Sequence, residues 1–182
     1  MPMDPLATLI ALGRRRWALP ALAELHRAGG LKFITLVNSL GASRPAAREA
    51  LDHLIALGLA TPNPGYGHPL RPEYILTPRG RALGPACIAL HDLARRLGLA
   101  EVLRRRWSLA VLAAIRAGRR RFSELKAYTP TLTDRALALA LKDLLAAGLI
   151  ARRLIDGAPP SAAYQPTRRA TPLLAAIGNL SS

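Results

Sequence analysis

Residues 107–149 read WSLAVLAAIRAGRRRFSELKAYTPTLTDRALALALKDLLAAGL, and the spacing of their apolar residues decides the fold. After Trp107, Leu109, Leu112, Ala113 and Ile115 recur at helical intervals until Gly118 ends the segment. Ser123, a favourable N-cap type, predicts a short helix through Tyr128 that Pro130 stops. Thr133 predicts the next cap. The helix it opens runs to about Ala147, with Leu137, Leu141, Leu144 and Leu145 on one stripe and Gly148 as its terminator.

Beyond Gly148 the pattern shortens and alternates. Leu149–Leu154 reads as a strand, residues 156–160 (Asp-Gly-Ala-Pro-Pro) have turn chemistry, and Ala162–Gln165 reads as the returning strand. Three helices followed by a β-hairpin describe a winged helix-turn-helix, with the helix after Thr133 as recognition helix and the Pro/Gly loop as wing.

The same reading applies 90 residues earlier. Arg14-Arg15-Arg16-Trp17 recurs as Arg104-Arg105-Arg106-Trp107, and these are the only two tryptophans in the chain. The only two phenylalanines, Phe33 and Phe122, align after a one-residue shift, and Ser43, Leu51, Leu54, Gly58, Tyr74 and Thr77 align with Thr133, Leu141, Leu144, Gly148, Tyr164 and Thr167. Chance matching of abundant Ala and Leu does not align the rare Trp, Phe and Tyr as well. The expectation is a mainly α chain with small β-hairpins (α+β): two tandem winged helix-turn-helix domains, residues 1–90 and 91–182, joined by a long helix at about 81–98. The stripe Leu83, Cys87, Leu90, Ala94 and Leu97 makes that helix too apolar for a solvated linker, so it is expected to pack on the other copy or on a second chain.

Composition agrees with a helical core. The chain has 182 residues with 51% hydrophobic and only 4% aromatic content, which favours Leu- and Ala-rich helices over a β-sandwich. It carries 26 Lys and Arg against 11 Asp and Glu, a formal charge of +15. A GC-rich genome accounts for choosing arginine over lysine, but not for the shortage of acids, so a polyanionic partner is expected. Residues 1–91 hold 10 basic and 5 acidic groups and residues 92–182 hold 16 and 6, giving +5 and +10. Apolar runs are cut by charges below the ~18–20 residues of a spanning helix, and no signal peptide is read. One cysteine, Cys87, excludes an intrachain disulfide.

In the second copy, Trp107, Arg121-Phe122-Ser123-Glu124-Leu125, Leu137, Leu141, Leu144, Gly148-Leu149-Ile150, Pro159-Pro160 and Tyr164 resemble the HxlR-type winged-helix transcriptional regulators of bacteria. The first copy departs from that pattern at Lys32-Phe33-Ile34-Thr35-Leu36 but keeps its closing residues as Tyr74-Ile75-Leu76-Thr77-Pro78-Arg79-Gly80. The resemblance implies sequence-specific binding of double-stranded DNA, transcription control and a cytoplasmic, nucleoid-associated location. Family members typically pair as homodimers. This chain is therefore expected to act as an intrachain pseudo-dimer, or as a homodimer of tandem chains.

A recognition helix presents its N-terminal side chains to base edges. The candidates are Ser43, Arg44 and Arg48 in the first copy and Thr133, Arg135 and Lys142 in the second. Phosphate contacts are assigned to Arg71 in the first wing, to Arg119, Arg120 and Arg121, where the family's backbone contacts often fall, and to Arg152 and Arg153 beside the second wing. The two arginine triplets before the tryptophans are read as phosphate contacts, or as caps of the preceding helix, with phosphate preferred. No catalytic residue, metal site or cofactor is read: the four histidines lack ligand spacing, and no phosphate loop or nucleophile elbow appears. Cys87 reads as a buried apolar residue before a redox sensor. The rival reading is a winged-helix protein-interaction scaffold or accessory factor that does not bind DNA specifically.

Overall fold

The computed structural model describes residues 5–65, 72–155 and 161–179. The first half runs α1 (Pro5–Leu12), α2 (Ala18–Ala28), β1 (Leu31–Lys32), α3 (Phe33–Leu40), α4 (Arg44–Ala56), β2 (Ala60–Pro62), β3 (Glu73–Leu76) and α5 (Pro78–Arg96). The second runs α6 (Ala100–Leu103), α7 (Ser108–Arg116), α8 (Phe122–Tyr128), α9 (Asp134–Ala146), β4 (Ile150–Ile155), β5 (Ser161–Pro166) and α10 (Thr171–Gly178). The chain is thus mainly helical with small antiparallel hairpins. Among the described residues no helix is long and apolar enough to cross a membrane.

Capping explains where the long surface helices begin. The Ser43 hydroxyl accepts from the Ala46 N–H at 3.4 Å and the Thr133 hydroxyl from the Ala136 N–H at 3.2 Å, satisfying donors that a helix start leaves open. Both helices stop alike. Gly58 and Gly148 each sit at φ 66°, a left-handed conformation that costs a side chain dearly, and turn the chain into β2 and β4. A threonine then closes each turn: Thr77 donates to the Gly58 carbonyl at 2.8 Å, and Thr167 to the Gly148 carbonyl at 2.7 Å. These bonds recur at an offset of 90 residues.

The hairpins differ. In the first half β1 adds a third strand, pairing Leu31 with Tyr74 and Lys32 with Glu73, so that β3 lies between β1 and β2. In the second half β4 and β5 pair over six residues, from Ile150 with Pro166 to Ile155 with Ser161, and the place of β1 is held by a single bridge between Arg121 and Ala163. A two-residue strand has no alternation to read, and β1 is absent from the sequence-based expectation.

One apolar cluster joins both halves, with Leu22, Leu25, Leu51 and Leu54 continuous with Leu109, Leu112, Ile115, Leu141 and Leu144. Every residue of α7 from Ser108 to Ile115 is buried. The reason is that α7 is covered by α1 as well as by α8, α9 and α10. The long helix α5 starts at Pro78, three residues before the expected 81, because Thr77 caps it by accepting from the Gly80 N–H at 3.1 Å. Its widest contact is with α2 of the same half, and α10 comes second. The expectation that α5 packs on the other copy is therefore corrected to a shared role. Gly84 makes the α2 contact possible, since a Cβ there lies 1.9 Å from Nδ1 of His26.

Candidate nucleic-acid interface

The exposed faces of α4 and α9 are set by their buried ones. Ala47, Ala50, Leu51 and Leu54 turn α4 inward, and Leu137, Ala140, Leu141 and Leu144 do the same for α9. Opposite these stripes, at intervals of three and four residues, α9 presents Arg135, Ala138, Leu139 and Lys142 to solvent. The positions 90 residues earlier are Pro45, Arg48, Glu49 and Asp52, also exposed. The two faces share a place in the fold and differ in chemistry.

Arg135 and Lys142 make no hydrogen bond or ion pair among the described residues, and Arg44, the first residue of α4, makes none either. Arg48 is engaged. Its guanidinium lies 4.4 Å from the Phe33 ring centroid and 5.8 Å from that of Tyr74, donating to the Tyr74 hydroxyl at 3.3 Å and to Asp52 at 3.4 Å. The Tyr74 bond first, opposed in part by desolvation, raises its pKa. Neighbouring Glu49 is tied to Arg15 at 2.6 Å. The sequence reading of Arg48 as a free base-contacting arginine missed the Phe33–Tyr74 platform, whose rings are contributed by α3 and β3.

Among the residues assigned to phosphate, Arg119 and Arg121 are exposed, and Arg152 and Arg153 project from β4 with no partner among the described residues. Arg120 is different, because its guanidinium donates to the carbonyls of Ile115 and Arg119 and so caps the C-terminal end of α7. Arg71, with the tip of the first wing, lies outside the described residues, as do residues 156–160 of the second wing. The predicted cap Ser123 is not the cap: α8 begins at Phe122, because the Glu124 carboxylate accepts the N–H groups of Arg120 at 2.8 Å and Arg121 at 3.1 Å. Those two bonds hold its pKa below the ordinary carboxylate value.

The preference for phosphate in the two arginine triplets is corrected by where they point. Arg14 lies over the Trp107 ring at 5.4 Å and Arg104 over the Trp17 ring at 4.2 Å, so each half stacks an arginine on the other half's tryptophan. Arg16 and Arg106 lie over the adjacent tryptophans Trp17 and Trp107 at 5.7 and 4.9 Å. Carboxylates take up most of the remaining charge. Arg16 and Arg104 pair with Glu101 at 2.7 and 2.8 Å, and Arg105 pairs with Asp143. The repeated motif was the available signal, since its two occurrences meet each other in the fold.

Two further titratable groups, Cys87 and His91, are internal. Cys87 is fully buried, which pushes its thiol up to about 12. In the His91-Asp92 dipeptide, Asp92 accepts from Arg27 at 2.5 Å, while burial first and the Arg27 charge second lower the His91 pKa.

The family comparison falls on the same segment. The profile of the HxlR-like helix-turn-helix family matches residues 102–182, which hold α7, α8, α9 and the β4–β5 hairpin. The HTH-type transcriptional regulator YkvN of Bacillus subtilis is 36% identical over 67 residues, 37% of this chain and 57% of YkvN. YvaP, an HTH-type transcriptional regulator of the same organism, is 31% identical over 81 residues, 44% of this chain and 75% of YvaP. The chain thus spans little more than half the length of the first relative and three quarters of the second. The crystal structure of diamide-treated YodB from B. subtilis aligns at a TM-score of 0.41 and 22% identity, covering 49% of this chain and 85% of that one. With an identity of 31% across three quarters of YvaP and a family profile that spans its second half, the chain belongs to the HxlR-like helix-turn-helix family.

Proposed function

We propose that the protein is a DNA-binding transcriptional regulator whose two winged helix-turn-helix units, residues 1–90 and 91–182, are a tandem duplication acting as an intrachain pseudo-dimer on two half-sites. The observation that carries the DNA-binding part is the division of the arginines into two sets. Those before the tryptophans are largely spent on rings and carboxylates inside the chain, whereas Arg44, Arg119, Arg135, Lys142, Arg152 and Arg153, at helix starts, recognition faces and a wing strand, are exposed and form no ion pair among the described residues. Unpaired cations on these elements suit a phosphate backbone, which replaces the missing counter-charges and releases its own counterions. The pseudo-dimer part draws on the reciprocal stacking of Arg14 on Trp107 and Arg104 on Trp17 and on the recurrent Thr–Gly bonds.

Mobility shifts with duplex DNA from the chain's own upstream region, measured over a range of salt, test the first part. A linear fall of log K with log[salt] is expected, and no binding at low salt overturns the reading. Light scattering tests the second part. A species near 19.5 kDa is expected, and a strictly dimeric state overturns the pseudo-dimer.

A further inference from the structure

Among the described residues Leu139 on α9 is one of three large apolar side chains that stand exposed, at 59%. The other two, Ile34 and Leu154, lie on α3 and on β4. Leu139 sits at the centre of the α9 face described above. Ala138 lies beside it, Arg135 one turn before it and Lys142 one turn after it, and neither cation has an acidic partner among the described residues. The first half carries Glu49 at the corresponding position, held by Arg15 at 2.6 Å.

We propose that Leu139, with Ala138, is a specificity-determining residue that reads the 5-methyl group of thymine in the major groove, so that the half-site under α9 contains thymine where the half-site under α4 does not require it. This rests on the DNA-binding reading above and adds to it the base and the residue. The thymine methyl is the one apolar group on the major-groove edge of the four base pairs, and small apolar side chains are its natural contacts. The surroundings favour DNA over a protein as the occupant. A single leucine between two unpaired cations is too small an apolar surface to anchor a protein partner, which needs about 800 Å² on each side. DNA meets both demands at once, with a methyl for the leucine and phosphates for Arg135 and Lys142.

The test uses the full chain to select duplexes from a random pool, and then replaces thymine by deoxyuridine within each half of the selected site. Deoxyuridine keeps every hydrogen-bonding group of thymine and lacks only the methyl. In one half, substitution is expected to weaken binding about fourfold for each contacted methyl. Leu139→Gln is expected to lose most of the preference for thymine over deoxyuridine while retaining its melting temperature, since glutamine is polar and a good helix former at an exposed site. Equal binding of the two duplexes by the natural chain overturns the proposal, as does an unchanged thymine preference in Leu139→Gln. Salt-dependent binding without any sequence selection overturns this inference and leaves DNA binding standing; absence of binding at low salt overturns both.

Discussion

The outward faces of α4 and α9 occupy corresponding places behind nearly identical buried stripes, yet one is neutralised by its own neighbours and the other is not. On α4, Arg48 is stacked on Phe33, bonded to Tyr74 and paired with Asp52, while Glu49 takes Arg15. On α9, the corresponding run is Ala138, Leu139 and Lys142, with Arg135 a turn earlier, and the acid at the start of the helix, Asp134, lies 3.7 Å from Lys126 and pairs with neither cation. A buried position is constrained by packing on all sides, and a solvated one by whatever it must touch. The two helices therefore agree in what they bury and differ in what they present to solvent.

Replacing the paired core leucines probes the inner agreement, with the largest effect. Leu22 and Leu112 are both 0% exposed and correspond at an offset of 90. Each change to alanine is expected to cost about 2–5 kcal/mol, and because the apolar cluster is continuous both are expected to lower one shared transition in denaturant titration. Two separate transitions, with only one moved by each variant, would break the picture of a single joined core.

The outer disagreement is sharpened by charge removal. Arg135→Ala is expected to weaken DNA binding about tenfold. For Arg48→Ala the expected loss of binding is under about threefold, with a stability cost of about 0.5–1 kcal/mol from the lost ring contact. Equal losses of binding from the two variants would erase the distinction between the faces.

The smallest effect concerns the start of α8. Glu124 has a folded pKa below its unfolded one, so its stabilising contribution is fully present above the unfolded value of about 4.3 and disappears as pH falls through the folded value. Thermal melts between about pH 6 and pH 3 are expected to fall more steeply for the natural chain than for Glu124→Gln. Parallel curves would show that the two backbone bonds do not stabilise the ionised form. The first half has Thr35, not a carboxylate, at the position corresponding to Glu124, and lacks this response there.

The helices were legible because each carries a long apolar stripe and a recognisable end. Ser43, Thr133, Gly58 and Gly148 announce their roles by residue type, and the structure finds them at those caps and turns. What could not be read were relations between distant residues. Nothing local marks Glu101 as the partner of Arg16, 85 positions away, or Asp143 as that of Arg105, 38 positions away, so a triplet of arginines looked like a phosphate grip. The start of α8 was missed by two residues, because a glutamate reaching back from the third helical position outweighed a serine hydroxyl. Of the candidate interface, α9, Arg135, Lys142 and the β4 arginines stand exposed where the sequence put them, and Arg48 and Arg120 are occupied within the chain.

The contact of α1 with α7 bears on how the chain is made. Synthesis delivers α1 first and α7 much later, and domains ordinarily fold in that order. Here a Cβ at Gly13, just after α1, would lie 3.1 Å from Leu109, so the turn that follows α1 is shaped to fit a helix that does not yet exist when it leaves the ribosome. Bonds within the first half, from Arg79 to the Thr8 hydroxyl at 2.8 Å and between His53 and the Ala11 carbonyl at 2.9 Å, hold the N-terminal helix in place, so what the second half adds on its arrival is the cover over the turn that follows it.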